Sequence, residues 1–368
     1  MNFDFSEDQK ILKKTAREYL EERAPLRVCR EVLESPKLYS EELWKGAAEL
    51  GWLGATIPES HGGAGLGRLD LAVIAEEVGR SLAPIPLLSS TYLATEAILI
   101  AGSTAQKKRY LPKLASGEAI GCFALAEHPG QNGLAGVETT FAKGTLDGKK
   151  APVLDGEAAT FAVVVAKSQS GFCLALADLE GVARKGMGSI DPSRPVAELD
   201  FRGAPAELLG ADAAGGALLD KVLDHAAVLL AFEQIGAAER AFEITKEYTL
   251  GRYAFGRPVA SFQAIKHRLA DHWCEIELAR SNAYYGAWAL STEAPELSVA
   301  ACLARVSASD AFDNISVDMV QMHGGVGYTW EFDCHLFYRR AKLLSLVLGT
   351  TAAWRDKLID RLEKQSAA

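Results

Sequence analysis

Apolar positions follow a helical period at both ends of the chain and a strand-like pattern in the middle. In the first segment Leu12, Ala16, Tyr19 and Leu20 recur at helical spacing, and Ser6 ahead of them suits an N-cap. Residues from about 5 to 120 read as helices interrupted by the loop PESHGGAG, Pro58 to Gly65. The next stretch, LDLAVIAEEVGRSLAPIP, is a helix ended by Pro84 and Pro86. Gln106 to Glu118 joins a basic helix end to a proline and a glycine turn, and its basic residues are most simply a solvated face. From about Ala119 the apolar runs shorten and turn β-branched or aromatic: IGCFALA, FAVVVAK, GFCLALADL and VAELDF, separated by turns such as LDGKK and LDGEA. They predict a small, mostly antiparallel β domain over roughly 120 to 210, followed by a linker or helix entry in GADAAGGA, Gly210 to Ala217.

Beyond Leu218 the helical period returns. Leu219, Val222, Val228, Leu229, Phe232, Ile235 and Phe242 lie on broad apolar faces, so this helix is largely buried, as in a bundle. Further helices are expected near 259–290, 296–322, 333–347 and 351–364. The fold class is therefore α+β, with a helical N-terminal domain over 1–118, a central antiparallel β domain over 119–212 and a C-terminal four-helix bundle over 213–368.

One stretch breaks the helical pattern conspicuously. In QMHGGVGYTWE, Gln321 to Glu331, the glycines at 324, 325 and 327 follow an apolar helix. Glycine within a helix costs about 1 kcal/mol relative to alanine. Three in four positions therefore point to close packing or to a ligand approaching the backbone, and exposed N–H groups suit a phosphate. A plain turn between two helices is the competing reading.

Charge narrows the functional classes. Thirty-nine Lys+Arg against 48 Asp+Glu give −9, which argues against general nucleic-acid binding. A polyanionic small ligand remains compatible with a local basic cluster. The six cysteines (Cys29, Cys122, Cys173, Cys274, Cys302, Cys334) have no paired spacing and read as reduced thiols of a cytoplasmic protein. The acidic start MNFDFSEDQK has no signal-peptide character, and no apolar run reaches membrane-spanning length. His61, His128, His267, His272 and His335 are dispersed without metal-ligand spacing. His323, beside the glycines, reads either as a turn residue or as a phosphate donor.

The order helices, β domain, helical bundle is uncommon, and several stretches in that order carry a family resemblance. IPESHGGAGLG with AEEVGR, QKKRYLPKLASGE, RYAFGRPVASFQAIKHRLAD and QMHGGVGYTWEFDCHLFYRRAK resemble the flavin-dependent acyl-CoA dehydrogenases over nearly the whole chain. The resemblance implies a tetramer built as a dimer of dimers, an acyl-CoA substrate, an electron-transfer flavoprotein as acceptor, and FAD lying across a subunit interface. It also implies that a glutamate removes the α-proton while the flavin accepts a hydride from the β-carbon. By the same resemblance Arg252, Phe255 and Gln263 contact the adenosine and diphosphate of a flavin seated in the adjacent chain, and Gln321, Gly324 and Gly325 complete that grip.

The positions that resemble the chain's own flavin-ring contacts are altered. Where the family runs Thr-Glu-Pro-Gly-Ala-Gly-Ser-Asp, this sequence has Ala126, Glu127, His128, Pro129, Gly130, Gln131, Asn132 and Gly133. Pro152 stands in place of the shielding aromatic residue, and Leu154 in place of the adjacent hydroxyl. Leu348 occupies the place of the common base, followed by the retained Gly349 and Thr350, and the alternative base position falls on Ala226. No catalytic residue is assigned. Glu233, two helical turns beyond Ala226, is the substitute candidate, with a surface or core-paired glutamate as the plainer reading.

Three functions follow as expectations. In the favoured one the chain is the partner subunit of a heteromeric acyl-CoA dehydrogenase and grips the ADP half of a flavin whose ring belongs to a paralogous subunit. Such two-subunit enzymes resemble bacterial ones acting on bulky acyl chains, including steroid side-chain CoA esters. The alternatives are a self-sufficient dehydrogenase with a non-standard base and a flavin-free helical interaction protein.

Overall fold

The computed structural model describes residues 5–367; the outermost positions of the first and last predicted domains, 1–4 and 368, lie outside them. Helices precede and follow a central pair of sheets, as the α+β reading expects. By contacts the chain divides into two compact units. One comprises 1–30, 72–83 and 227–368, and the other 31–71 and 84–226.

The first unit opens with α1 (Glu7–Arg23), which starts at Ser6 through a capping box: Ser6 Oγ accepts the Gln9 amide at 3.2 Å and Gln9 Oε1 accepts the Ser6 amide at 3.0 Å. The short helix α2 (Leu26–Leu33) begins in this unit, α3 (Glu41–Glu49) lies in the second, and the C-terminal part of α4 (Arg68–Arg80) belongs to the first. The acids of AEEVGR are buried on α4 and fully employed. Glu76 accepts Lys13 Nζ at 2.6 Å and also Arg280, while Glu77 is held by Arg17 through two bonds of 2.8 and 2.9 Å. Arg80 reaches Glu243 at 2.5 Å. Buried acids in a core persist only when paired, and these pairs tie α1, α4 and the C-terminal helices together.

The second unit contains α5 (Glu96–Ala101) and α6 (Thr104–Ala115), the latter capped by Ser103 and Gln106 in a second capping box. A π-helical turn, Leu88–Thr95, precedes α5 and is buried throughout. Strands β1 (Gly121–Ala124) to β10 (Glu207–Leu209) form a seven-stranded sheet and a three-stranded antiparallel sheet. The larger sheet is mostly antiparallel, with β5 (Phe161–Lys167) and β6 (Phe172–Asp178) paired in full and β1 parallel to β5. In β4 (Lys149–Leu154) the register shifts between Lys150 and Val153. Pro152 has no amide hydrogen to give to the ladder, so the strand is irregular there.

The long helix α7 (Gly215–Gly251) runs from the second unit into the first. In the first unit follow a hairpin, β11 (Tyr253–Ala254) with β12 (Arg257–Pro258), then α8 (Gln263–Ser291), α9 (Leu297–His323), α10 (Cys334–Leu344) and α11 (Thr351–Ala367). Helix α9 packs against α8, α10 and α11, and Phe232, Phe312 and Phe337 are buried in this bundle. Val259–Ser261, expected as helix, form a 3-10 turn behind Pro258 with Phe262 extended after it, and 345–347 leave the helix at Ser345. Among the described residues no helix is long and apolar enough to cross a membrane.

Candidate functional site

Arg252, Phe255 and Gln263 stand together around one hairpin. The Arg252 carbonyl accepts the Val259 amide at 2.8 Å, which closes the hairpin, and Gln263 is the first residue of α8. The Arg252 side chain is exposed and makes no ion pair among the described residues. Phe255 is 97% exposed and adopts φ +53°, the left-handed region that a bulky side chain rarely enters. Helix α8 starts at Phe262 with no side-chain cap. Gln263 is exposed and its amide has no partner among the described residues.

The second group lies at the end of α9. Gln321 is exposed and accepts the Tyr328 hydroxyl at 3.3 Å. The three glycines after it separate by role. A Cβ on Gly327 would lie 2.3 Å from the Val320 carbonyl oxygen, so Gly327 is required by packing. Gly324 has φ +64°, and around both Gly324 and Gly325 a Cβ would meet no protein atom within 4 Å. That turn is open to whatever approaches it.

Two hydrogen bonds join the groups. The Arg252 amide donates to the Tyr248 carbonyl at 2.8 Å, and the Tyr248 hydroxyl donates to the His323 carbonyl at 3.2 Å. His323 itself is buried, stacked on Tyr248 with centroids 4.1 Å apart, and its Nδ1 lies 2.7 Å from the Met319 carbonyl oxygen. Burial lowers its pKa, and the ring is a packing element of the turn. An exposed guanidinium, side-chain amides and an open glycine turn form a donor set that suits an anionic diphosphate.

Comparison with known proteins identifies the setting. Residues 6–118 match the acyl-CoA dehydrogenase N-terminal domain and residues 214–363 the acyl-CoA dehydrogenase C-terminal domain. The acyl-CoA dehydrogenase IpdE2 of Mycobacterium tuberculosis is 34% identical over 336 residues, covering 91% of each chain. The chain belongs to the acyl-CoA dehydrogenase family. Its fold is shared at TM-score 0.89 and 30% identity with a variant of the Tcur3481-Tcur3483 steroid ACAD, covering 98% of this chain and 99% of that one. The ChsE4-ChsE5 complex from Mycobacterium tuberculosis is similar at TM-score 0.87 and 26% identity, covering 99% of both. The family consists of oxidoreductases that are in general FAD-dependent.

The positions that the resemblance assigns to the flavin ring carry hydrocarbon here. The Ala151 amide donates to the Ala126 carbonyl at 2.8 Å, so Ala126 and β4 are neighbours. Ala126 is half-buried, Pro152 exposed and Leu154 half-buried, and none offers a side-chain donor. Next to Ala126, Glu127 accepts Lys150 Nζ at 2.7 Å and the Glu138 and Thr139 amides at 2.9 Å, which pins the loop that follows. Burial works against the Glu127 carboxylate, but Lys150 and the two amides hold its pKa below the ordinary value. The donors at Arg252, Gln263 and the Gly324 turn are of a kind that suits a diphosphate, and the side chains at Ala126, Pro152 and Leu154 offer no hydrogen bond to a ring.

The two positions that the resemblance assigns to a base carry hydrocarbon as well. Ala226 and Leu348 are both buried hydrocarbon. The segment carrying Leu348 is nonetheless held firmly: Arg305, fully buried on α9, donates to the Leu344 carbonyl at 2.7 Å and reaches the Gly349 carbonyl at 3.5 Å, and Trp354 Nε1 donates to the Leu348 carbonyl at 2.9 Å. Glu233 is 1% exposed on α7. Sequence reasoning missed Arg305 and a second buried cluster, in which His225 Nδ1 and Arg68 Nε lie 3.0 and 3.1 Å from Glu96 Oε2. The available signal was a charged residue inside an apolar run: His225 in LLDKVLDHAAVLLAF and Glu96 in TEAILIA.

Proposed function

We propose that this chain is the partner subunit of a heteromeric, FAD-dependent acyl-CoA dehydrogenase. In this reading Arg252, Phe255 and Gln263, with Gln321, Gly324 and Gly325, grip the ADP half of a flavin whose ring and catalytic base are held by a paralogous subunit. Arg252 supplies a fixed planar charge to the diphosphate, and the open glycine turn lets the backbone approach it. Two such pairs form the tetramer, a dimer of dimers. A bound flavin supplies hydride acceptance, and an electron-transfer flavoprotein reoxidises the complex in the cytoplasm. The substrate is a bulky acyl-CoA thioester, steroid-derived by analogy with the steroid ACAD to which the chain is similar.

The observation that carries this reading is one of sorting. Donors that serve a neighbour are present and open at Arg252, Gln263 and Gly324, while Ala126, Pro152, Leu154 and Leu348 leave the chain's own ring and base positions without a polar side chain. Unselected drift would not divide the two sets so cleanly. The test is FAD per polypeptide, measured on the chain alone and after co-expression with a paralogous subunit. No flavin alone and one per pair is expected; one per chain in isolation overturns the reading.

A second reading keeps a specific observation. Glu233 lies on the same helix as Ala226 and is buried, the environment in which a carboxyl becomes a competent base. A self-sufficient homo-oligomer using Glu233 predicts turnover of an acyl-CoA by the isolated chain, abolished by Glu233→Gln.

A further inference from the structure

A cavity of about 280 Å³ opens beside the turn at His323 and Gly324. Its walls are partly aromatic. The stacked Tyr248 and His323 rings form one side, and Phe332 stands edge-on to both, at centroid distances of 6.5 and 6.3 Å. Leu26, Ile244, Met319 and Cys334 add apolar surface, and Glu247 and Asp333 bring carboxylates to the lining.

The polar groups here are acceptors. His323 Nδ1 carries the ring proton, because it faces the Met319 carbonyl, so Nε2 presents a lone pair. The Tyr248 hydroxyl gives its hydrogen to the His323 carbonyl. Asp333 takes one bond from Arg30 at 2.7 Å. Glu247, exposed at the mouth, makes no ion pair or side-chain hydrogen bond among the described residues. A pocket with π-faces, two carboxylates and a neutral imidazole lone pair selects a cation that can both stack and donate.

We propose that this cavity receives an arginine side chain of the paralogous subunit. A guanidinium matches the lining in kind: a planar cation that stacks on an aromatic face and pairs with a carboxylate, here the exposed Glu247, while Asp333 is already held by Arg30. The inference rests on the reading above, which puts the neighbouring turn at Gly324 in contact with that subunit. The arginine would then lock the two chains beside the diphosphate.

The test is the affinity between this chain and the co-expressed paralogous subunit, at low and high salt, for the wild type, Glu247→Gln and Glu247→Arg. Glu247 is exposed, so the variants retain the fold, which a melting curve of each confirms. Glu247→Gln is expected to weaken pairing by roughly tenfold and to flatten its salt dependence, and Glu247→Arg to weaken it further. A pair that forms and binds flavin, yet shows unchanged affinity and salt dependence in Glu247→Gln, overturns this inference alone. Failure to form any pair with a paralogous subunit overturns it together with the proposed function.

Discussion

Gly79 and Gly236 mark a reciprocal close approach of α4 and α7. A Cβ on Gly79 would lie 1.8 Å from the Glu233 carbonyl oxygen, and one on Gly236 would lie 1.8 Å from the Glu76 carbonyl oxygen. Each helix rests its backbone on the other's glycine, and buried Glu76 of α4 pairs with Lys13 and Arg280. In an open helix Gly→Ala would stabilise by about 1 kcal/mol. Here both obstructing atoms are backbone, so the sign reverses. Gly236→Ala is expected to lose about 1–3 kcal/mol or more of stability, read from urea unfolding midpoints. An unchanged midpoint would show that the helices separate without penalty.

The Glu96 cluster makes stability depend on acid. Burial alone would raise the Glu96 carboxyl, but His225 and Arg68 outweigh it and hold the folded value below the ordinary 4.5. A carboxyl depressed on folding contributes stability that is complete above its unfolded pKa and is lost as pH falls through the folded value. Unfolding curves should therefore weaken as pH drops below 4.5. In Glu96→Gln this acid dependence should be shallower, with stability at neutral pH lower by about 1–3 kcal/mol. Identical pH slopes in the two proteins would remove Glu96 as the cause.

Arg252 should separate cofactor binding from folding. Its side chain is exposed and makes no ion pair among the described residues, so Arg252→Ala should change stability by no more than about 0.5 kcal/mol. In the co-expressed pair the same change should weaken FAD binding by roughly ten- to a hundredfold, the worth of a charge-assisted contact to phosphate. Equal flavin content in wild-type and variant pairs would favour a flavin-free interaction protein.

The thiols provide a check on the core. None of the six cysteines is in a disulfide, and Cys274 is exposed while the other five are buried. Burial pushes Cys173 up to about 11 and Cys334 up to about 12, with Cys122 higher still. A thiol reagent should find one fast cysteine in the native chain and six after denaturation. Additional fast thiols, or loss of the fast one in Cys274→Ser failing to occur, would show that the buried set is reachable.

Much of the fold was legible along the chain because its signals are local. Ser6 and the apolar spacing behind it announced α1, and both ends of the capping box sit within three residues. The alternation of short apolar runs with LDG turns placed the sheets. Boundaries behaved less well where one residue's chemistry overrode periodicity: behind Pro258, Val259–Ser261 form a 3-10 segment. The glycines of QMHGGVGYTWE were recognised together, but only the structure separated Gly327, against the Val320 carbonyl, from Gly324 and Gly325, which face open space.

The sequence by itself determined the family, the order of helical and β regions, and the substitution of hydrocarbon at Ala126, Pro152, Leu154 and Leu348, because each is a property of residue identity or near-neighbour spacing. Tertiary structure decided which distant polar groups meet: His225 with Glu96 across 129 positions, Arg30 with Asp333 across 303, and Arg305 beneath the Leu348 segment. It also decided that the Arg252 side chain stays exposed and clear of carboxylates while Arg280 is consumed by Glu76. Periodicity reports only which face of an element is buried; what lies opposite that face depends on how the elements pack, and a single buried charge is tolerated only where that packing supplies its partner.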